Sequence, residues 1–109
     1  MKAAIIGSRS LTVDDLREYL PRRTTEIISG GAKGIDACAR EYAVSHGIKL
    51  TEFLPEYKKY GINAPLKRNI SIIECADIVL AFWDGKSRGT KFVIERCYEI
   101  GKRIYVITE

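Results

Sequence analysis

Three short stretches concentrate residues suited to holding a phosphate. They are Gly7-Ser8-Arg9-Ser10, Ser29-Gly30-Gly31-Ala32-Lys33-Gly34-Ile35-Asp36 and Asp84-Gly85-Lys86-Ser87-Arg88-Gly89-Thr90. Each follows an apolar run and precedes a helix-like segment. A helix start offers unpaired N–H groups and a partial positive charge, which together attract anions. Glycine lets an oxygen approach the backbone closely. Seven of the eighteen cations, Arg9, Lys33, Lys67, Arg68, Lys86, Arg88 and Lys91, lie in or just after such loops. Gly30-Gly31-x-x-Gly34 is not the spaced G-x-G-x-x-G fingerprint, and no G-x-x-x-x-G-K-[ST] is present, so neither a standard dinucleotide site nor an NTPase P-loop is expected.

Two carboxylates and one arginine stand out within this set. Asp36 lies in the first turn of its helix, where the dipole favours it and where it can also bond a ribose or another polar ligand group. Asp84 precedes Gly85 and reads either as a turn former or as a general acid or base at the crevice. Arg68, beside Asn69, falls in the first turn after Pro65. There a cation opposes the helix dipole, so folding alone gives little reason for it. Asp84 is therefore a candidate catalytic residue and Arg68 a candidate ligand-binding one. Tyr57 and Tyr60 are candidate lid residues, and Trp83 can stack on a base or pack in the core.

The elements that must position these groups follow from apolar runs and their punctuation. Ala3–Ile6, Glu26–Ser29, Lys49–Leu54, Asp77–Trp83 and Arg103–Ile107 read as five strands. Several are apolar on consecutive residues, the mark of a parallel sheet covered on both faces. Helical patterns fill the gaps at Asp14–Leu20, Lys33–His46, Pro65–Cys75 and Thr90–Ile100. Leu66, Ile70 and Ile73 are expected inward on the third and Val93, Cys97 and Ile100 on the fourth. The alternation predicts an α/β fold, a single three-layer Rossmann-like domain over residues 1–109 with a mainly parallel sheet in order 3-2-1-4-5. In that order the strands preceding the three loops are neighbours, and ligands bind beyond their carboxyl ends. The long Pro55–Ala64 connection is of the kind that carries function.

Composition bounds the rest. The chain has 109 residues, 46% hydrophobic and 29% charged, with a formal charge of +4. These values exclude a disordered chain and a multidomain enzyme, and no apolar stretch is long enough to span a bilayer. A cytoplasmic location is expected. Cys38, Cys75 and Cys97 have wide, irregular spacings, and with one histidine they predict buried thiols rather than a metal site. No cofactor is expected.

Taken in order, Gly7-Ser8-Arg9, Ser29-Gly30-Gly31-Ala32-x-Gly34-x-Asp36, Arg68-Asn69, Ala76-Asp77-x-x-x-Ala81-Phe82-Trp83-Asp84-Gly85-x-Ser87-x-Gly89-Thr90 and Gly101-Lys102 resemble the YspA, cpYpsA-related branch of the SLOG superfamily. That superfamily also holds the Smf/DprA proteins and the LONELY GUY phosphoribohydrolases. The resemblance implies a Rossmann-like fold that binds a nucleotide or a nucleotide derivative such as an ADP-ribose-like molecule, as a sensor or processing module. The site would comprise Gly7, Ser8, Arg9, Ser29, Gly30, Gly31, Gly34, Asp36, Arg68, Asn69, Asp84, Gly85, Ser87, Gly89 and Thr90. Arg68 resembles in chain order a catalytic arginine of the LONELY GUY enzymes, which makes it a candidate catalytic residue beside Asp84. Those enzymes carry P-G-G-x-G-T-x-x-E, whereas here the nearest acid after Thr90 is Glu95. The alternatives are a phosphoribohydrolase-like enzyme and a single-stranded nucleic-acid binder. Nucleic acid is the less expected partner, because the cations gather at strand ends rather than along a stripe. The relatives also imply a homodimer.

Overall fold

The computed structural model describes residues 1–108. Its strands are β1 (Lys2–Gly7), β2 (Glu26–Ser29), β3 (Lys49–Glu52), β4 (Ile78–Trp83) and β5 (Ile104–Thr108). They form one sheet in the order β3-β2-β1-β4-β5, and every neighbouring pair is parallel. The helices are α1 (Ile35–Ser45), α2 (Tyr57–Tyr60), α3 (Ala64–Cys75) and α4 (Arg88–Ile100).

The consecutive apolar residues explain the layering. Successive side chains of a strand point to opposite faces. Ala4, Ile6, Ile28, Val79 and Ala81 pack against Ile72 and Ile73 of α3 and Val93 and Cys97 of α4. Ile5, Ile27, Leu80 and Phe82 pack against Ile35, Ala39 and Ala43 of α1, with Leu16 beside them. Helices thus cover both faces of the sheet, as the sequence predicts.

Register fixes where the loops emerge. Gly7 pairs with Phe82, Ser29 with Glu52 and Trp83 with Thr108, so the strands end along one edge. The junctions after β1, β2 and β4 leave that edge side by side.

Three local expectations are corrected. Asp14–Leu20 is no α-helix; it holds only a 3₁₀ turn, Leu16–Glu18, capped where the Asp15 carboxylate accepts the Arg17 N–H at 3.0 Å. Leu16 is its one buried side chain, and a segment this short, closed by Pro21, lacks the length to sustain a helix. In α3, Leu66 is exposed and Ile70 half-buried, while Ala64, Ile72 and Ile73 are buried. In α4, Ile100 is exposed because the last turn runs past the core. The 55–64 connection contains α2 and a 3₁₀ turn, Gly61–Asn63. Among the described residues no helix is long and apolar enough to cross a membrane.

A candidate anion-binding crevice

The junction after β2 is packed tightly against its neighbour. Gly34 stands at the N-cap of α1 with φ +67°, and a Cβ there would lie 2.5 Å from the Arg9 carbonyl oxygen. Only glycine permits both the backbone shape and the approach. The turn delivers Asp36 into the first turn of α1 with 6% of its surface exposed. One carboxylate oxygen, Oδ2, accepts the Ala32 N–H at 3.1 Å, while Oδ1 is buried and has no partner. Burial raises the Asp36 pKa above the ordinary carboxylate value; the Ala32 N–H, the Arg68 charge and the Ser29 hydroxyl oppose it without cancelling it.

The junction after β4 is organised by a carboxylate with the opposite character. Asp84 Oδ1 accepts the N–H groups of Lys86 and Ser87, both at 2.8 Å, and Oδ2 accepts the Ser10 hydroxyl at 2.9 Å. These donors hold the Asp84 carboxyl far below the usual carboxylate range. Its own N–H donates to Ser8 Oγ at 3.1 Å, joining this loop to the one after β1. Ser87 caps α4 by accepting the Thr90 N–H at 3.4 Å. The Trp83 indole N–H donates to the Ser87 carbonyl at 3.0 Å, so this ring braces the turn. The donors to Asp84 oppose a proton there and engage three of its lone pairs, which gives its turn-forming reading direct structural support.

Arg68 reaches across from α3. Its Nη1 donates to the Gly30 carbonyl at 2.7 Å and to the Phe53 carbonyl at 3.5 Å, and its Nε donates to Asn69 Oδ1 at 2.8 Å. Folding thus has a clear use for this arginine, which ties α3 to the ends of β2 and β3, contrary to the expectation from the helix dipole. Burial lowers its pKa; the Asp36 charge raises it and the Arg9 charge lowers it again. Both guanidinium groups line the same crevice.

That crevice has a volume of about 450 Å³, within the range of small-molecule sites. Gly7, Arg9, Gly30, Asp36, Arg68, Asn69, Asp84, Ser87, Gly89 and Thr90 line it, together with Ser10, Ala32 and Pro65, over an apolar floor of Ile6, Ile72 and Val93. Ser8 and Ser29 are buried beneath it, and Gly31, Gly34 and Gly85 shape the surrounding turns without lining it. Glu95 is exposed and outside the lining, as are Tyr57 and Tyr60; Tyr60 instead borders a neighbouring groove with Lys59 and Lys67. The floor residues Ile6, Ile72 and Val93 carry no chemical signal in sequence beyond apolarity. Ser10 was marked by its place in the first loop. Among the described residues no cluster of three or more His, Cys, Asp or Glu side chains is disposed to hold a metal.

Not all the expected backbone donors are free. The N–H groups of Gly31, Ala32, Ser87 and Thr90 are spent on Ser29, Asp36, Asp84 and Ser87. Among the described residues those of Lys33, Gly34, Arg88 and Gly89 have no protein acceptor. Of these four residues only Gly89 lines the crevice, in the first turn of α4.

Residues 7–60, about half of the chain, match the family model described as the YspA, cpYpsA-related SLOG family. Neither the curated proteins nor the solved structures gave a match.

Proposed function

Because the chain belongs to the YspA, cpYpsA-related SLOG family through residues 7–60, we propose that the crevice binds a nucleotide or a nucleotide derivative of the ADP-ribose type, as a sensor or processing module. The observation that carries this reading is a division of labour within one cavity. The lining carries the unbonded Gly89 N–H, in the first turn of α4, and the exposed Arg9 guanidinium. A helix N-terminus and a cation on one lining suit a phosphate. Ile6, Ile72 and Val93 offer an apolar floor to a flat or aliphatic group. Asp36 and Arg68 add an acceptor and a cation to the same lining.

A hydrolytic reading would have to run through Asp36. Asp84 already accepts three hydrogen bonds, and Glu95 stands outside the crevice. Burial shifts the Asp36 pKa upward, in the direction a proton-holding group requires, whereas the donors around Asp84 shift its pKa downward.

Native mass spectrometry of protein purified from cells, followed by calorimetric titration with nucleoside monophosphates and ADP-ribose at two salt concentrations, tests the proposal. The expected result is a co-purified or titratable phosphate-bearing small molecule whose affinity falls modestly with salt. A steep loss with salt and a preference for oligonucleotides would point to a nucleic-acid binder instead.

A further inference from the structure

Asp36 is left short of hydrogen bonds in a way that the fold does not repair. An ionised carboxylate has about four acceptor positions. The backbone supplies one donor, the Ala32 N–H at 3.1 Å, and the Ser29 hydroxyl lies near enough to contribute. Oδ1 has no partner although the residue is 6% exposed. Buried polar atoms without partners are rare and costly, and the residue that carries this one lines the cavity, from which a donor can come.

The nearest cation does not supply it. Arg68 spends Nε and Nη1 on Asn69 and on the carbonyls of Gly30 and Phe53, and no Asp36–Arg68 ion pair forms within 4.0 Å. Gly30 lies between the two groups. A Cβ at position 30 would fall 2.5 Å from Arg68 Nη1 and 3.0 Å from Asp36 Oδ2. The bare Cα of Gly30 thus lets a carboxylate and a guanidinium flank one spot on the crevice wall without closing on each other.

Resting on the nucleotide reading above, we propose that Asp36 is the specificity-determining residue of this site and reads a ribose hydroxyl, so that ribonucleotides are bound in preference to their deoxy counterparts. The reasoning is by exclusion among the groups a nucleotide carries. A phosphate only accepts hydrogen bonds and is repelled by the carboxylate. A base edge can also pair an N–H with an acceptor, but the apolar floor of Ile6, Ile72 and Val93 gives the base its own place on the lining. A hydroxyl donates to Asp36 and accepts from a cation, which suits both neighbours. The terminal carboxylate torsion is broad, so a modest rotation brings the unpaired oxygen to the cavity.

The test is titration of the intact protein with the four ribonucleoside monophosphates, each paired with its 2′-deoxy and 3′-deoxy form. The wild type is expected to bind at least one ribonucleotide about tenfold or more tightly than one of its deoxy forms, the scale of one hydrogen bond to a charged group. Asp36→Ala and Asp36→Asn are expected to collapse that ratio towards one while leaving the weaker, deoxy affinity nearly unchanged. The ratio in the wild type should also shrink as pH falls and Asp36 takes up a proton. That arm needs no variant and decides the matter if both substitutions misfold. Equal binding of ribo and deoxy forms overturns the assignment of Asp36 and leaves nucleotide binding intact. Failure of every monophosphate, and of ADP-ribose in the titration above, to bind overturns the nucleotide reading, and this inference with it.

Discussion

Asp36 and Asp84 both stand where a parallel strand gives way to the helix that follows, Asp36 in the first turn of α1 and Asp84 in the loop before α4, and their environments are opposite. Asp84 is exposed, receives two backbone N–H groups and a hydroxyl, and is held ionised. Asp36 is buried, receives one backbone N–H and retains an unpartnered oxygen. Two carboxylates whose surroundings drive their pKa values apart divide the labour of a site. One builds the loop, and the other is left available to a ligand. Identity of residue and of topological position did not settle which was which; the count of donors did.

The largest test of this contrast concerns the loops that carry the two carboxylates. Gly34→Ala places a Cβ against the Arg9 backbone at positive φ, and a loss of about 3 kcal/mol is expected in denaturant unfolding. Next comes Arg68→Ala. It removes the clamp on the Gly30 and Phe53 carbonyls and should cost about 1.5–3 kcal/mol, the worth of hydrogen bonds to a charged donor. An unchanged midpoint for that variant would show that the clamp contributes nothing and that the arginine is held for ligand alone.

Smaller effects separate the carboxylates by pH. A raised native pKa means that Asp36 contributes stability below its unfolded value, near 3.9, and that this is lost as pH rises through the native value. Asp36→Asn should therefore raise the melting temperature by a few degrees at pH 8, and the gain should vanish towards pH 4. Asp84 has the reverse sign. Its stabilisation is present above the unfolded value and is lost as pH falls through the depressed native one. Asp84→Asn should lower the melting temperature at neutral pH, with the deficit closing only in strong acid. If the two pH profiles ran in the same direction, the contrast between the loops would fail. The smallest effect is expected of Gly89→Ala. Nothing lies within 4 Å of its added Cβ, so stability should change by less than about 0.5 kcal/mol, while a ligand phosphate at the α4 terminus would be displaced and bind more weakly.

The sheet was legible because burial on both faces writes itself as consecutive apolar residues, as in Ile78–Phe82. The convergence of Gly7, Gly30 and Asp84 followed from strand order alone. The rotation of α3 did not. The apolar spacing of Leu66, Ile70 and Ile73 suggests one stripe, but the first turn of the helix stands at the crevice, where Ala64 is buried and Leu66 faces outward. The packing role of Arg68 was not legible either. Its partners are main-chain carbonyls 38 and 15 positions away, and a carbonyl has no sequence signature. The Asp84 turn bonds only two and three residues ahead, which is why the turn-forming reading of Asp84-Gly85 was available from sequence.

The lining of the crevice runs from Ile6 to Val93, and β1, made first, sits at the middle of the sheet. During synthesis the site therefore has no partial version. The segment up to residue 60 holds Gly7, Arg9, Gly30 and Asp36, yet the wall opposite them arrives only with α3 and α4. With the proposed nucleotide bound, occupancy and completion of the fold would become a single equilibrium. A ligand at a hundred times its dissociation constant would add about 2.7 kcal/mol to the stability of the whole chain rather than of one loop. Cellular abundance of the protein would then rise and fall with the supply of the molecule it binds.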